Sequence, residues 1–161
     1  MAASTTNDTD RVWDLAEKIS VAMLASWDGQ NPHSRPMSAH IKRDENAFYF
    51  LADKRHQTDD QLKKFPTVCL AFADAGDHKY VSVTGEASVS SDRAKIKEFW
   101  NPWAKAWWDS PDDPNICVLK VTPTQAEYWD TPGKIINTIK MAVAAATGNR
   151  PDIGENRKVA M

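Results

Sequence analysis

The chain has 161 residues, enough to bury one hydrophobic core and too few for two comfortable ones, so a single domain with a single site is expected. Its 42% hydrophobic and 26% charged residues match an ordinary globular protein, and a net charge of −2 at pH 7 gives no general electrostatic pull toward nucleic acid. The longest apolar stretches, such as residues 141–146, are far too short to span a bilayer, which excludes membrane insertion.

Residues 1–7 are small and polar and are expected to be disordered. They show no basic region followed by an apolar one, so no signal peptide is read and a cytoplasmic location is expected. From Asp8 the pattern turns helical, with Asp8 or Thr9 as cap and Val12, Leu15, Ala16 and Ile19 as the apolar face. Residues 20–27 form an apolar strand ending at Asp28-Gly29, a strong turn signal that opens a hairpin. Its return strand is expected over residues 32–42, and a third strand over residues 47–51 after a polar turn. Residues 58–64 read as a helix, with Thr58 as cap and Asp59 and Asp60 in the first turn, where negative charge suits the helix dipole.

Two more strands follow at residues 68–72 and 80–89, and their regular spacing argues a barrel or a sandwich. Ser91-Asp92 caps a helix through Ala94, Ile96 and Trp100, and Asn101-Pro102 restarts a helical turn carrying Trp103, Trp107 and Trp108. The last strand, residues 116–129, holds Pro123 near its middle, which calls for an interruption or an edge position. The domain is thus expected over residues 8–133, followed by an Ala-rich helix over 134–148 that stops at Gly148 and a polar tail over 149–161.

No Gly-rich phosphate loop, Ser nucleophile elbow or metal-type Cys or His spacing is present, so no metal is expected. Cys69 and Cys117 each sit inside an apolar run, the usual place of a reduced buried thiol. Seven Trp point equally to ring-stacking or interface surface and to a Trp-rich core. The informative segment is His33-Ser34-Arg35-Pro36-Met37. It lies on a strand, yet carries a proline that breaks the hydrogen-bond ladder and a guanidinium able to fork onto a phosphate or a ring carbonyl. An edge strand with a solvated Arg is the bland alternative. The second candidate is the segment from Ala52 and Asp53 through Lys54, Arg55, His56 and Gln57 to Thr58, where a helix start beside basic side chains could cradle an anion; a solvated loop would look the same.

Several separated motifs in order carry a resemblance. They are Met23-Leu24, Gly29, the His33 to Met37 run, Phe48-Tyr49-Phe50-Leu51-Ala52-Asp53, Lys79 to Gly85, Trp100-Asn101-Pro102, Asp112 to Asn115 and Glu127-Tyr128-Trp129-Asp130. Over about residues 10–135 the chain resembles the general stress protein branch of the pyridoxamine 5′-phosphate oxidase-like, FMN-binding split-barrel family. The resemblance implies a mainly β fold, a six-stranded antiparallel Greek-key split barrel with flanking helices, working as a homodimer with FMN at the subunit interface. It places His33, Ser34, Arg35, Pro36 and Met37 beside the flavin ring, and Phe50, Leu51, Ala52 and Asp53 along ring and ribityl chain. Trp108 and Trp129 are the candidates for aromatic residues from the partner subunit. His56, Gln57 and Thr58 fall at the phosphate end, where Thr58 stands in place of the lysine usual in such sequences. A flavin-dependent oxidoreductase is the activity so implied, with no residue marked as catalytic. A non-catalytic flavin-binding or storage module, and a split barrel binding deazaflavin or haem, are the competing readings.

Overall fold

Strands β1 (Val21–Trp27) and β2 (Pro32–Ser38) form the hairpin opened at Asp28-Gly29, with Trp27 opposite Pro32. Asp28 holds the turn by accepting from the backbone N–H groups of Gln30 and Asn31 at 2.7 and 2.6 Å, and Gly29 takes a φ of +102° that side chains rarely adopt. The computed structural model describes residues 6–131, 134–150 and 154–161, so the disorder expected at residues 1–5 lies outside them. Thr6 and Asn7 already belong to helix α1 (Thr6–Ile19).

Strands β3 (His40–Lys42), β4 (Ala47–Asp53), β5 (Thr67–Asp74), β6 (Lys79–Ser90) and β7 (Ile116–Asp130) complete an antiparallel sheet ordered β2-β1-β5-β6-β7-β4-β3. β2 and β3 are therefore the two ends of this path, yet only Ala39 separates them in sequence. A one-residue link draws both ends together, and the sheet curls into a barrel that stays split along the β2/β3 seam. The mainly β, split-barrel architecture is the one expected, but with eight strands among the described residues instead of six. The strand expected over residues 32–42 breaks at Ala39, whose N–H turns aside to Ser20 O at 2.9 Å. The second addition is β8 (Glu155–Ala160), within the expected polar tail. β7 pairs with β4 only through its first half, so β8 covers the edge left open at Gln125 to Asp130. Only Val159 of this strand is buried, and its remaining residues give no apolar alternation from which a strand could be read.

Pro123 is accommodated by an interruption, as its position called for. The β6/β7 register shifts between Thr84 and Gly85, and Gly85 faces Pro123. A Cβ on Gly85 would stand 2.6 Å from the Thr122 carbonyl oxygen, so only glycine fits this close approach.

The barrel interior is filled by Leu24, Phe48, Phe50, Phe72, Val83 and Leu119, closed at one end by Val12, Trp13, Leu15 and Ala16 of α1. Trp13 stacks on Phe48 at 4.7 Å. β4 is buried on both faces, because its outward Ala47 and Tyr49 pack with Ile96 and Phe99 of α3 (Arg93–Phe99) in a second core that also holds Trp108. Asp92 caps α3 by accepting from Ala94 and Lys95 N–H. Cys117 is buried and its thiol is pushed up to about 11 by burial, so it packs as an inert hydrophobe. Helix α2 (Thr58–Lys64) lies beside the seam, and α4 (Lys134–Thr147) ends at Gly148 with φ +72° and exposes Ile139, Met141 and Val143. No described helix is long and apolar enough to cross a membrane.

Polar contacts tie α1 to the barrel. Asp130 of β7 pairs with Arg11 and with Lys79, the latter at 2.6 Å, and Tyr128 donates to Asp8 at 2.9 Å. Burial pushes the Asp130 carboxyl up, but the Arg11 and Lys79 bonds and charges outweigh it and hold the group below its ordinary value. Its contribution to stability is thus complete above the unfolded carboxylate range, about pH 4, and is lost as pH falls through the lower folded value. Comparing urea midpoints from neutral to acidic pH should show that Asp130→Asn flattens this loss. Gly85→Ala should destabilise the fold by about 3 kcal/mol, read as a lower urea midpoint with an unchanged slope.

Candidate functional site

The seam opens into a groove of about 890 Å³, within the range of about 300–1,000 Å³ usual for small-molecule sites. One wall is β2 with Arg35, Pro36 and Met37, and the other is the end of β4 with Leu51, Ala52 and Asp53. α2 contributes Thr58, Gln61 and Lys64, and the segment from Asn101 to Trp108 closes the rim. The split is what makes room: a fully laddered barrel would fill this space with paired backbone.

Arg35 faces Leu24 across the hairpin and reaches past it to α2. Its Nη1 donates to Thr58 Oγ1, and its Nη2 donates to Ser26 Oγ at 3.2 Å. Both partners are neutral. Burial alone acts on the guanidinium, lowering its pKa from an ordinary value so high that it stays charged. Among the described residues no carboxylate pairs with it, so a half-buried positive charge faces the groove without a counter-ion.

Asp53 is the opposite case. Arg55 grips it through side-chain and backbone bonds at 2.5 to 3.1 Å, and Trp108 Nε1 donates to it at 3.1 Å. Arg55 above all holds the carboxyl down to about 2, so its charge is satisfied locally. Asp53 thereby shapes the site: it caps the 3-10 turn Lys54–His56 and pins Trp108, and with it the rim, to the end of β4. Gln57 then takes φ +58° to swing the chain into α2, which buries Thr58 at the groove.

At the outer end His33 Nε2 bonds Asp28 Oδ2 at 2.6 Å. The Asn31 N–H, then His33, hold the Asp28 carboxyl down to about 2. His40 stacks on Phe99 at 4.7 Å, and burial lowers its pKa. Trp108 is buried, whereas Trp103 and Trp107 on the rim are 84% and 73% exposed, unusual for so large an apolar surface.

The groove therefore gathers His33, Arg35, Pro36, Met37, Leu51, Ala52, Asp53, His56, Gln57, Thr58 and Trp108 of the residues singled out in the sequence. It does not gather Lys54 or Arg55 of the anion-cradle segment, nor three others. Ser34 is exposed opposite Ala25, Phe50 lies wholly inside the barrel core, and Trp129 pairs with Tyr80 and Asn156 on the β6/β7/β8 side. Gln61, Lys64, Trp103 and Trp107 line the groove without having been singled out, and Ser26 joins the site from behind through its bond to Arg35. Ser26 did leave a signal: it continues the core-facing alternation of Ala22 and Leu24, where a hydroxyl needs a partner. Gln61 left none, because its partner lies 35 residues away.

A fixed cation and apolar and aromatic walls in one groove suit a flat ligand that carries negative charge. Comparisons with known proteins give the family. A family model described as pyridoxamine 5′-phosphate oxidase like matches residues 7–152. General stress protein 26 of Bacillus subtilis (strain 168) is 28% identical over 120 residues, covering 70% of this chain and 81% of its own length. A crystal structure designated general stress protein 26 from Jannaschia sp. CCS1 superposes with a TM-score of 0.81 at 30% identity, over 98% of this chain and 100% of that one. The general stress FMN/FAD binding protein of Xanthomonas citri superposes with a TM-score of 0.68 at 26% identity, over 78% of this chain and 89% of that one. The family match runs through every strand from β1 to β7, and so through the whole seam: this chain belongs to the pyridoxamine 5′-phosphate oxidase like family.

Proposed function

We propose that the groove binds FMN and that the protein is a flavin-dependent oxidoreductase of the general stress protein type, working in the cytoplasm as a homodimer. The observation that carries this reading is Arg35, a charged group held in a small-molecule groove by neutral partners alone. The donor set fits the cofactor. Met37, Leu51 and Trp108 offer apolar surface to a flat ring, while Arg35, Thr58, His56 and Lys64 offer donors to an anionic tail. FMN, when bound, supplies hydride and electron transfer at its ring, chemistry that no side chain can perform.

The chain's own residues bind and orient. Arg35 anchors negative charge, and Asp53 fixes the rim through Trp108. The buried barrel core beneath the seam keeps water from the inner wall. The exposed outward face of β1, with Val21, Met23 and Trp27 between 41% and 47% exposed, supports a second copy as partner.

Titrating metal-free, ligand-free protein with FMN should quench flavin fluorescence to a saturable end point; protein that gains no FMN would sink the reading. Arg35→Ala should weaken binding about 10- to 100-fold, the worth of hydrogen bonds to a charged group. Turnover is a separate arm: NADH or NADPH should bleach the bound flavin absorbance, with re-oxidation by an added acceptor. A stable, unreducible complex would leave a binding module in place of an enzyme.

A further inference from the structure

Trp103 and Trp107 line the groove yet are 84% and 73% exposed, so neither completes a core. The chain beneath them is fixed. Asn101 Oδ1 accepts from the N–H groups of Trp103 and Ala104 at 2.9 and 3.1 Å, and Ala104 is buried between the two indoles. Trp107 and Trp108 both return their N–H groups to the Ala104 carbonyl at 3.0 Å, and Trp108 is held in turn by Asp53. Two indoles on a pinned turn offer a large flat surface that a ligand can cover with little loss of freedom.

His40 lines the same groove. Arg35 turns to α2, whereas His40, up to about 16 Å further along the chain at about 3.3 Å per residue, packs on α3. Phe99 covers one face of its ring at 4.7 Å and leads through Trp100 into the segment that carries the indoles. Among the described residues nothing bonds either ring nitrogen. Burial lowers the pKa of His40 more than Glu98 raises it, and Lys42, paired with Glu98 at 2.5 Å, adds to the lowering. The imidazole is therefore neutral at neutral pH and has one N–H to give.

An uncharged stacking surface beside one neutral donor selects a flat conjugated molecule with a carbonyl oxygen. An anionic group would find its partners at Arg35 and Lys64 instead. We propose that Trp103, Trp107 and His40 form a second subsite of the groove, beside that of the flavin, for a flat conjugated carbonyl compound of the quinone class. The indoles stack on its ring, and the imidazole donates to one of its carbonyl oxygens. This inference rests on the reading above, in which that compound is the electron acceptor. The overall reaction balances: NADH or NADPH gives a hydride, water gives one proton, and the quinone takes up both to become the hydroquinone. His40 moves no proton in it; its hydrogen bond favours the negative charge that grows on the carbonyl oxygen. At about 890 Å³ the groove is near the top of the range usual for small-molecule sites, which leaves room for ring beside ring.

The test titrates FMN-loaded protein, with no nicotinamide present, by calorimetry. The probes are a dimethyl-naphthoquinone, whose methyl groups block addition of thiols, and naphthalene, which has the flat ring and no carbonyl. Trp103→Ala and Trp107→Ala should each weaken both probes about tenfold and leave FMN affinity unchanged. His40→Phe keeps the stack on Phe99 and removes the donor, so it should weaken the quinone about fivefold and leave naphthalene unchanged, while His40→Gln, which keeps an N–H, should restore the quinone. Urea unfolding of each variant checks that the fold is retained. No quinone binding by the FMN-loaded wild type, or a quinone affinity unchanged by the Trp variants or by His40→Phe, overturns the subsite while flavin binding stands. So does a parallel loss of FMN in the Trp variants, which would make the indoles a cover for the flavin, or a change in their sedimentation, which would make them a contact with a second copy. Protein that takes up no FMN overturns the parent reading and the subsite with it.

Discussion

Two sheet ends joined by one residue cannot drift apart, and the site follows from that constraint. Because Ala39 alone links β2 to β3, the seam is held shut by covalent reach, while its backbone groups are left without a ladder across it. A continuous ladder would have produced a sealed barrel with a core and no groove. The interruption costs hydrogen bonds at one place and opens a ligand-sized space at the same place. The rest of the barrel absorbs the strain-free part of the curl: the bulge at Gly85 and Pro123 bends the longest pair of strands, and β8 covers the edge of β7 that β4 does not reach.

Charges divide into two kinds. Those that fasten elements to one another are paired: Asp130 with Arg11 and Lys79, Arg43 with Asp10 and Asp14, Lys95 with Glu45. Those of the groove wall are paired too where they shape it, as Asp53 with Arg55. Arg35 stands apart, because hydroxyls replace carboxylates around it. Partner choice at that residue separates a structural ion pair from a binding charge, since a carboxylate neighbour would stabilise the empty groove and compete with any anion.

The aromatic residues show the same division of labour. Trp13 and Trp108 complete the two cores on either face of β4, which is why that strand is buried from Ala47 to Phe50 and can place the half-buried Leu51 and Asp53 at the groove with little freedom. Trp103 and Trp107 sit on a segment tied down by Trp108 and by Asn101, whose side chain accepts from Trp103 and Ala104 N–H. The core reading of the Trp-rich composition thus applies to Trp13 and Trp108, whereas Trp103 and Trp107 stay exposed on the groove rim.

Local chemistry settled much of this chain before any tertiary contact. Turn geometry at Asp28-Gly29, the Asp92 cap, the stop at Gly148, the alternation of β6 and the interruption at Pro123 depend on a few neighbouring residues, and each is legible from them. The segment around Arg35 was legible as well, since a guanidinium and a proline on one strand are hard to reconcile with a plain ladder. Three things depended on distant partners. β8 exists because β7 outlasts β4, the break at Ala39 exists because the sheet closes, and the Ser26 to Gln61 hydrogen bond exists because α2 packs where the closed seam puts it. Side-chain type and spacing act over a few residues, whereas an unpaired edge or an unneutralised charge is defined only by what the fold does or does not bring beside it.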